Sequence, residues 1–580
     1  MATYTAPLRE LNFVLRDVLD VDRLKTLPGF EDAGAETLEG LIDEAAKLIE
    51  GQLWPLRESA DQQGCTWHSG DVDMPQGFAE AYKLYVEGGW AGLSKPVEYN
   101  GQALPYTFDQ VVFEMLCSAN VSFSLTPMLT SGSFEAIRAA ASDEIKKTYL
   151  PKLGSGEWTG TMCLTEPQAG TDLASIRTRA TPNGDGSYAI EGGKIFITSG
   201  EHQLADNIIH FVLARLPDAP AGVRGLSTFV VPKFLVNADG SLGARNKLQC
   251  VSIEHKMGLH GSCTCAMQFE GATGWLVGAP HTGIKNMFVM MNLERIMVGV
   301  QGLGLCELAL QSALAYARER KQGTAFNGGA TIIDHPDVRR MLMTMKAITE
   351  GARVMAYETS MYVDFAHHAT DAAEREAAQD WVDLGTPLVK AFCTDNGFDL
   401  GSLAIQTFGG HGFIRDNGVE QIVRDAKITC LYEGTNGIQS MDLVRRKLGL
   451  HGGRLPKRFF AAVRGEAPDT ALDFIARPLA SAVDALEQAT TWLQTSMQDN
   501  PNDAGFGCTA YLRAFALTYL GWNWLRMVRA ANRQADGNFK TGKQVTAHFF
   551  AARLLPEVAN LCQRVQQPAS DYMACDSAVL

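Results

Sequence analysis

The chain has 580 residues, of which 46% are hydrophobic and 20% are charged, and these proportions exclude a disordered or a fibrous protein. The net charge of −14 argues against nonspecific binding of nucleic acid, which requires a basic surface. The 12 cysteines include no C-x-x-C pair, so the sequence predicts reduced thiols and no metal site.

The N-terminus has no basic segment followed by an apolar one, so no signal peptide is expected. The longest apolar run, at residues 296–317, is long enough to span a membrane, but Gln301, Glu307 and Gln311 interrupt it at helical spacing. The run is therefore predicted to be a buried core helix. We expect no integral membrane segment and a cytoplasmic location.

Residues 1–160 predict an N-terminal helical domain, because their apolar side chains recur at the spacing of a helix face. Leu11 and Leu15 open one such face, and Leu38 and Ile42 open another. Two further helices are predicted at residues 109–120 and 135–141.

Residues 161–280 have the alternating pattern of strands and predict a middle β domain. Strands are expected at residues 208–213 and 227–231. Tyr188 and Ile190 precede Gly192 and Gly193, and residues 194–198 follow them, which is typical of a hairpin with a glycine turn.

Helical spacing returns at residues 281–450, and residues 451–580 predict an additional helical domain whose last helix lies near 543–566. The fold class is therefore a multidomain α+β protein in the order helical, β, helical, helical.

Two dense polar stretches are candidates for chemistry in or beside the β domain. The run CLTEPQAGTD at residues 163–172 offers main-chain N–H groups and threonine hydroxyls to a planar heterocycle or a phosphate, although a plain polar turn also fits. Phe196 and Thr198 stand two positions apart, so on a regular strand they would share one side. Phe196 could then stack on a flat ring, and the alternative is an ordinary core aromatic.

Two later stretches complete the set of candidates. The run QTFGGHGF at residues 406–413 allows close approach of a nucleotide to the backbone, or it simply ends a helix. Glu433 stands between Tyr432 and a Gly-Thr turn. Burial would raise the pKa of its carboxyl and favour a role as general base, whereas the alternative is an ordinary loop carboxylate.

Together these stretches resemble the acyl-CoA dehydrogenase family over roughly residues 80–450. The resemblance rests on residues 163–172, on residues 406–413, on RDAKI at 424–428 and on YEGT at 432–435, which occur in the family's order. The N-terminal YTAPLR at residues 4–9 and the C-terminal extension resemble the larger bacterial subgroup that includes 3-methylmercaptopropionyl-CoA dehydrogenase.

The resemblance implies an N-terminal helical domain, a middle β-barrel-like domain and a C-terminal four-helix bundle, with FAD as the cofactor. It implies that Glu433 is the catalytic base and that Thr171, Arg295 and Tyr432 contact the substrate. The residues that it assigns to FAD lie on several elements: Met162, Leu164, Thr165, Phe196, Thr198, Arg320, Gln406, Gly409, Gly410, Thr435 and Gly437.

The implied reaction converts a saturated acyl-CoA into a trans-2-enoyl-CoA and passes electrons to an electron-transfer flavoprotein, in a homodimer. A fatty acyl-CoA and 3-methylmercaptopropionyl-CoA both remain open as substrates. The alternatives are an acyl-CoA oxidase that uses O₂ and a non-catalytic acyl-CoA-binding protein.

Overall fold

The structure is a computed structural model that describes residues 1–579. Its α-helices are α1 (Leu8–Asn12), α2 (Ala35–Leu48), α3 (Leu56–Gln63), α4 (Phe78–Glu87), α5 (Tyr106–Ala140), α6 (Asp143–Ser155), α7 (Gly283–Glu319), α8 (Pro336–His368), α9 (Ala372–Phe408), α10 (Glu420–Thr429), α11 (Asn436–Arg445), α12 (Arg454–Arg464), α13 (Asp473–Asp499), α14 (Pro501–Ala531), α15 (Gly537–Arg553), α16 (Glu557–Val565) and α17 (Ser570–Met573). Its strands are β1 (Thr66–His68), β2 (Asp71–Asp73), β3 (Thr159–Cys163), β4 (Arg179–Pro182), β5 (Tyr188–Thr198), β6 (Ile208–Arg215), β7 (Leu226–Pro232), β8 (Phe234–Val236), β9 (Leu242–Arg245), β10 (Leu248–Ile253) and β11 (Thr264–Val277).

The chain forms two compact units, one of residues 44–297 and the other of residues 1–43 together with 298–580. All the strands belong to the first unit, and the second is helical. The predicted order of a helical, a β and a helical region is confirmed. The four-helix bundle and the domain boundaries stay predictions.

The main sheet of residues 44–297 contains seven strands in the order β10-β11-β5-β4-β6-β3, and β7 pairs with both β11 and β6. Each of the strands β11, β5, β4, β6 and β7 pairs with the next one in this order, and β7 pairs with β11. These five strands therefore form a closed ring. β3 runs parallel to β6 outside this ring. The strands predicted at residues 208–213 and 227–231 are confirmed as β6 and β7.

The hairpin predicted around Gly192 and Gly193 is wrong, since β5 continues through both glycines as one strand. Both residues pair with β11, Gly192 with Phe269 and Gly193 with Gln268. Gly192 has a φ of +144°, and a Cβ atom there would lie 2.7 Å from the hydroxyl oxygen of Thr178. The close approach of a neighbouring segment, and not a turn, therefore requires glycine at this position.

The helices predicted at residues 109–120 and 135–141 are parts of one helix, α5, which bends at Asn120. The Asn120 backbone leaves the helical conformation there, with φ −155° and ψ 84°. Its side-chain amide donates to the Leu53 carbonyl (3.2 Å) and its side-chain oxygen accepts from the Phe123 N–H (3.2 Å). A polar side chain inserted in this way accounts for the bend.

Helices α5 and α7 are each long and apolar enough to cross a membrane, judged by length and composition alone. In both, 94% of the most apolar window is buried inside the structure, which is typical of a core helix. The core helix predicted at residues 296–317 is confirmed as part of α7.

The C-terminal helices pack on α8 within the second unit. Trp524 and Asn523 of α14 donate side-chain hydrogen bonds to the carbonyls of Ala347 (3.0 Å) and Gly351 (2.9 Å). A Cβ atom on Gly351 would lie 2.8 Å from the Leu520 side chain, so glycine permits this close approach. The single last helix predicted near 543–566 is wrong, because it is divided at Pro556 into α15 and α16.

Candidate active site

The first candidate segment follows β3 and lies against β5. Met162 is in β3, and Leu164 and Thr165 are the first two residues after the end of this strand. The Thr165 carbonyl accepts from the Ile195 N–H of β5 at 3.0 Å. This bond brings Thr165 beside the residue that precedes Phe196, so the structure places these predicted site residues together.

A buried ion pair holds this segment. Lys194 of β5 is fully buried, and its ammonium donates to the Leu164 carbonyl (3.0 Å) and to Glu166 Oε1 (2.8 Å). The other donors to the Glu166 carboxylate are the N–H groups of Arg177 (2.8 Å) and Thr178 (3.0 Å), the Thr178 hydroxyl (2.6 Å) and the Gln168 side-chain amide (2.6 Å). The carboxylate thus ties both ends of the loop to one strand.

The electrostatics of this pair follow from its burial. Burial alone would raise the pKa of the Glu166 carboxyl, but the Lys194 ammonium and the hydrogen bonds outweigh it and lower that pKa to about 2. Burial also lowers the pKa of the Lys194 ammonium, and the Glu166 carboxylate partly offsets this decrease. The Glu166 carboxyl is therefore ionised at neutral pH.

Phe196 occupies a bulge in β5. Lys194 pairs with Met267 and Ile197 with Cys265, so Ile195 and Phe196 together oppose the single residue Ala266. Phe196 has a φ of +59°, and its side chain is 59% exposed. The exposed ring favours a platform over a core aromatic. The bulge, however, removes the simple alternation from which Phe196 and Thr198 were predicted to share one side.

The two residues expected to contact CoA in this unit differ in exposure. Thr171 is exposed in the loop after β3. Arg295 of α7 is only 7% exposed and lies over the Phe288 ring, with 5.6 Å between its guanidinium carbon and the ring centroid. The Arg295 side chain is thus largely shielded from solvent.

The second candidate segment is the turn that carries Glu433, in the helical unit. Glu433 and Gly434 both have left-handed backbone conformations, with φ +56° and +87°. For a non-glycine residue this conformation costs about 1–2 kcal/mol, so the surroundings must hold it. Glu433 is half-buried. This burial favours the predicted role as a base over the alternative of an ordinary exposed loop carboxylate.

Three side chains hold this turn. Gln439 Nε2 donates to the carbonyls of Glu433 (3.1 Å) and Gly434 (3.4 Å). Lys390 of α9 is fully buried and donates to the Gly434 carbonyl (3.0 Å) and to Asn436 Oδ1 (2.8 Å). The Asn436 amide in turn donates to Asp395 Oδ1 (2.7 Å) of α9.

Helix α11 begins directly after this turn. The Thr435 hydroxyl caps the helix by accepting from the Ile438 N–H (3.3 Å), and Gly437 lies exposed in the first turn. On the other side of Glu433, the Tyr432 hydroxyl donates to the buried side chain of Gln301. Tyr432, Glu433, Thr435 and Gly437 therefore lie together, as sequence order requires.

The glycine-rich run forms the end of α9. Gly409 caps the helix with a φ of +62°, which confirms that the run ends a helix. Gln406 and Gly410 are exposed, and a Cβ atom on Gly409 or Gly410 would meet no atom within 4 Å. The same backbone is therefore open on this side, and the approach of a nucleotide to it stays a prediction.

Arg320 comes directly after α7, close to the residues that pack on the glycine turn. The Tyr316 ring of α7 stacks on Phe408, with 4.0 Å between the ring centroids and 12° between the planes. Arg320 is exposed, and its carbonyl accepts from the Ile332 N–H (2.8 Å). Its guanidinium is thus available to an anionic ligand.

The sequence reasoning missed the residues that position the site: Lys194, Glu166, Lys390, Gln439 and Asn436. The available signal was a lysine within an otherwise apolar stretch, at KIFIT (194–198) and at LVKAF (388–392). A buried lysine must be paired, and such a residue therefore indicates a fixed polar partner. Within residues 1–579, no group of three or more His, Cys, Asp or Glu is arranged to hold a metal ion, and all 12 cysteines are free thiols.

Four family models match the chain in succession. They are the acyl-CoA dehydrogenase N-terminal domain (residues 35–157), middle domain (161–272) and C-terminal domain (281–448), and the acetyl-CoA dehydrogenase C-terminal-like domain (459–576). The three consecutive dehydrogenase domains cover most of residues 35–448 in the order expected from the motifs.

Two curated relatives match nearly the whole chain. The 3-methylmercaptopropionyl-CoA dehydrogenase of Ruegeria pomeroyi is 42% identical, over 96% of this chain and 96% of the relative. The broad-specificity linear acyl-CoA dehydrogenase FadE5 of Mycobacterium tuberculosis is 32% identical, over 100% of each chain.

Solved structures share the fold. An acyl-CoA dehydrogenase complexed with FAD from Bacillus anthracis has a TM-score of 0.76 and is 20% identical, with coverage of 93% of this chain and 90% of that one. ACDH-11 of Caenorhabditis elegans, solved with C11-CoA, has a TM-score of 0.78 and is 18% identical, with coverage of 99% and 96%. At these identities the likeness establishes the fold alone.

We expect Lys194→Met to lower the free energy of unfolding by about 3–5 kcal/mol, because it leaves the Glu166 carboxylate buried without its cation. In the unsubstituted protein, the depressed pKa of Glu166 stabilises the fold fully above pH 4.5, and this stabilisation is lost as the pH falls toward about 2. The variant should lack that part of the acid dependence. Denaturant unfolding at neutral pH and at several pH values in this window measures both effects.

Lys83→Met is the matched control in the same unit. Lys83 lies 3.7 Å from Glu87 with 74% of its side chain exposed, so its loss should change the free energy of unfolding by about 1 kcal/mol or less. Equal losses in the two variants would show that the Lys194–Glu166 pair does not stabilise the loop.

Proposed function

The chain belongs to the acyl-CoA dehydrogenase family, and on that premise we propose that it removes one hydrogen from each of the α- and β-carbons of a saturated acyl-CoA thioester. The observation that carries this proposal is the half-buried Glu433, held in a strained turn where the family has its base. The product is a trans-2-enoyl-CoA.

FAD is the cofactor, and the residues present fit it. Phe196 presents an exposed ring in a bulge next to the Thr165 backbone, and the Gly409–Gly410 backbone is open to close approach. When bound, FAD supplies the acceptor for the hydride from the β-carbon. We assign the flavin ring to Met162, Leu164, Thr165, Phe196 and Thr198, and the remainder of FAD to Arg320, Gln406, Gly409, Gly410, Thr435 and Gly437.

The chain itself supplies the proton transfer. The Glu433 carboxylate takes the α-proton, which is weakly acidic because the thioester carbonyl delocalises the charge left behind. The Glu433 N–H is proposed to donate to the thioester oxygen, where that charge accumulates. Half-burial leaves the carboxylate only partly exposed to solvent. Thr171, Arg295 and Tyr432 are proposed to contact the substrate.

Glu433→Gln should lower kcat by about 10²–10⁴-fold, because the amide cannot accept the α-proton. The shape of the side chain is nearly unchanged, so bound FAD, measured as flavin absorbance per protein, should be retained. Glu374→Gln, at an exposed position in the first turn of α9, serves as the control and should turn over normally. A Glu433→Gln enzyme with near-normal turnover would refute the assignment.

The substrate is proposed to be a short acyl-CoA with a thioether, 3-methylmercaptopropionyl-CoA. The support is the greater identity to the relative named for that substrate, 42%, than to the relative named for linear acyl-CoA, 32%. We propose electron-transfer flavoprotein as the electron acceptor, in a cytoplasmic enzyme.

Anaerobic bleaching of the flavin by a panel of acyl-CoAs tests this substrate. We expect 3-methylmercaptopropionyl-CoA and pentanoyl-CoA, which differ only by sulfur for methylene, to bleach the flavin at least about tenfold faster than octanoyl-CoA at equal low concentration, because extra methylenes must fit a pocket shaped for fewer. Faster bleaching by octanoyl-CoA would indicate a fatty acyl-CoA substrate instead. A protein without flavin, or without bleaching by any acyl-CoA, would indicate a binding protein, and steady peroxide formation in air would indicate an oxidase.

We also propose that the protein is a homodimer. The C-terminal helices cover one face of α8 through Trp524 and Asn523, and this face is therefore closed to a further subunit. Light scattering should give a mass of twice the 63.0 kDa of one chain. A mass of four chains would contradict the proposal.

A further inference from the structure

The turn at residues 432–436 requires support from outside itself. Glu433 and Gly434 are consecutive left-handed residues, and only the second is a glycine. Gln439 binds both of their carbonyls, but it belongs to α11, which continues directly from the turn and moves with it. Fixing the turn in place therefore depends on contacts to another helix.

Helix α7 provides one such contact, from Tyr432 to Gln301, and helix α9 provides the contacts to Gly434 and Asn436, among which Lys390 is central. Its ammonium donates to the Gly434 carbonyl (3.0 Å), which is the main-chain group next to Glu433, and to Asn436 Oδ1 (2.8 Å). Asn436 is bound to the same helix through the Thr394 hydroxyl (2.9 Å) and Asp395 Oδ1 (2.7 Å). Lys390 thus joins the middle and the end of the turn to one rigid element.

The chemistry of a buried ammonium makes this attachment tight. An ammonium has three donors and no acceptor, and removing it from water without hydrogen-bond partners is costly. Lys390 is fully buried, so displacing the Gly434 carbonyl would leave one of its donors without that partner. The turn is consequently held at a defined distance from α9.

We propose that Lys390 is a positioning residue for the dehydrogenation, acting through the Gly434 carbonyl to set the location of the Glu433 carboxylate. This inference rests on the proposed role of Glu433 as base. Lys390 is assigned no contact with substrate or FAD, and its function is to keep the base where the α-proton will be.

Lys390→Met tests this role, since methionine has a similar length and no donor. We expect kcat to fall by about 10²-fold, the loss typical of a reacting group displaced by about 1 Å. KM should change by no more than about twofold, and flavin absorbance per protein should be unchanged. Lys447→Met is the control, because Lys447 also binds α9, through Asp383 (2.7 Å), and is not among the residues that hold the turn.

A double-mutant cycle separates positioning from general stability. If Lys390 acts through Glu433, adding Lys390→Met to Glu433→Gln should lower the residual kcat by less than about threefold, because the group being positioned is already inactive. Equal fold losses in both backgrounds, or an unchanged kcat in the single variant, would overturn the proposal. If Lys390→Met gives no folded protein, Lys390→Gln, which keeps a donor but is shorter, replaces it in the same cycle with the same expected pattern.

The role of Glu433 as base and the role of Lys390 as positioning residue can be refuted separately. Near-normal turnover by Glu433→Gln would refute the assignment of Glu433 as the base, and the proposed role of Lys390 would be refuted with it. Loss of turnover in Glu433→Gln together with normal kcat in Lys390→Met would remove only the role of Lys390.

Discussion

Buried lysines are the physical constraint on which both candidate segments depend. Lys194 on β5 donates to the Leu164 carbonyl and to Glu166, and Lys390 on α9 donates to the Gly434 carbonyl and to Asn436. In each unit a fully buried ammonium on a regular element binds one main-chain carbonyl and one side-chain oxygen of an irregular segment. Because a buried cation cannot be left without partners, each segment has one favourable position relative to its strand or helix. Order in the loops is therefore imposed from the rigid elements beneath them.

The same two segments contain residues under backbone strain. Phe196 and Glu433 have φ values of +59° and +56°, and neither is a glycine. Strained conformations persist where the surroundings over-determine them, and they concentrate at functional sites. At Phe196 the bulge between β5 and β11 causes the strain and turns the ring outward. At Glu433 the carbonyls held by Gln439 and Lys390 maintain it. Phe196 and Glu433 are thus two of the strained non-glycine residues, and both are residues to which we assign a specific role.

Much of the fold could be predicted from sequence, because apolar periodicity is a local property. The order of helical and β regions and the strands at β6 and β7 followed from it. The errors arose where a distant segment decides the outcome. Gly192 is required by the approach of Thr178 and not by a turn, and the break at Asn120 depends on a bond to Leu53. For the site, local motifs indicated Glu433 and Phe196. They could not indicate Lys390, whose partners are more than 40 positions away and become neighbours only in the folded chain.

This difference between local and distant determinants also explains why the reaction can be inferred from the sequence more readily than the substrate. The proposed base, Glu433, and its turn lie within residues 430–439, and helices α7 and α9 contact this turn. The far end of an acyl pocket is formed by side chains from several elements, and a change of one methylene group there alters selectivity by about 10–200-fold without changing the fold. Relatives that cover nearly all of this chain are accordingly named for different acyl groups: 3-methylmercaptopropionyl, butyryl and linear acyl chains of broad range. All of them align over nearly the full length of this chain, so polypeptide length cannot determine the substrate. That property must reside in a few pocket side chains, which can change while the positioning of the base is left intact.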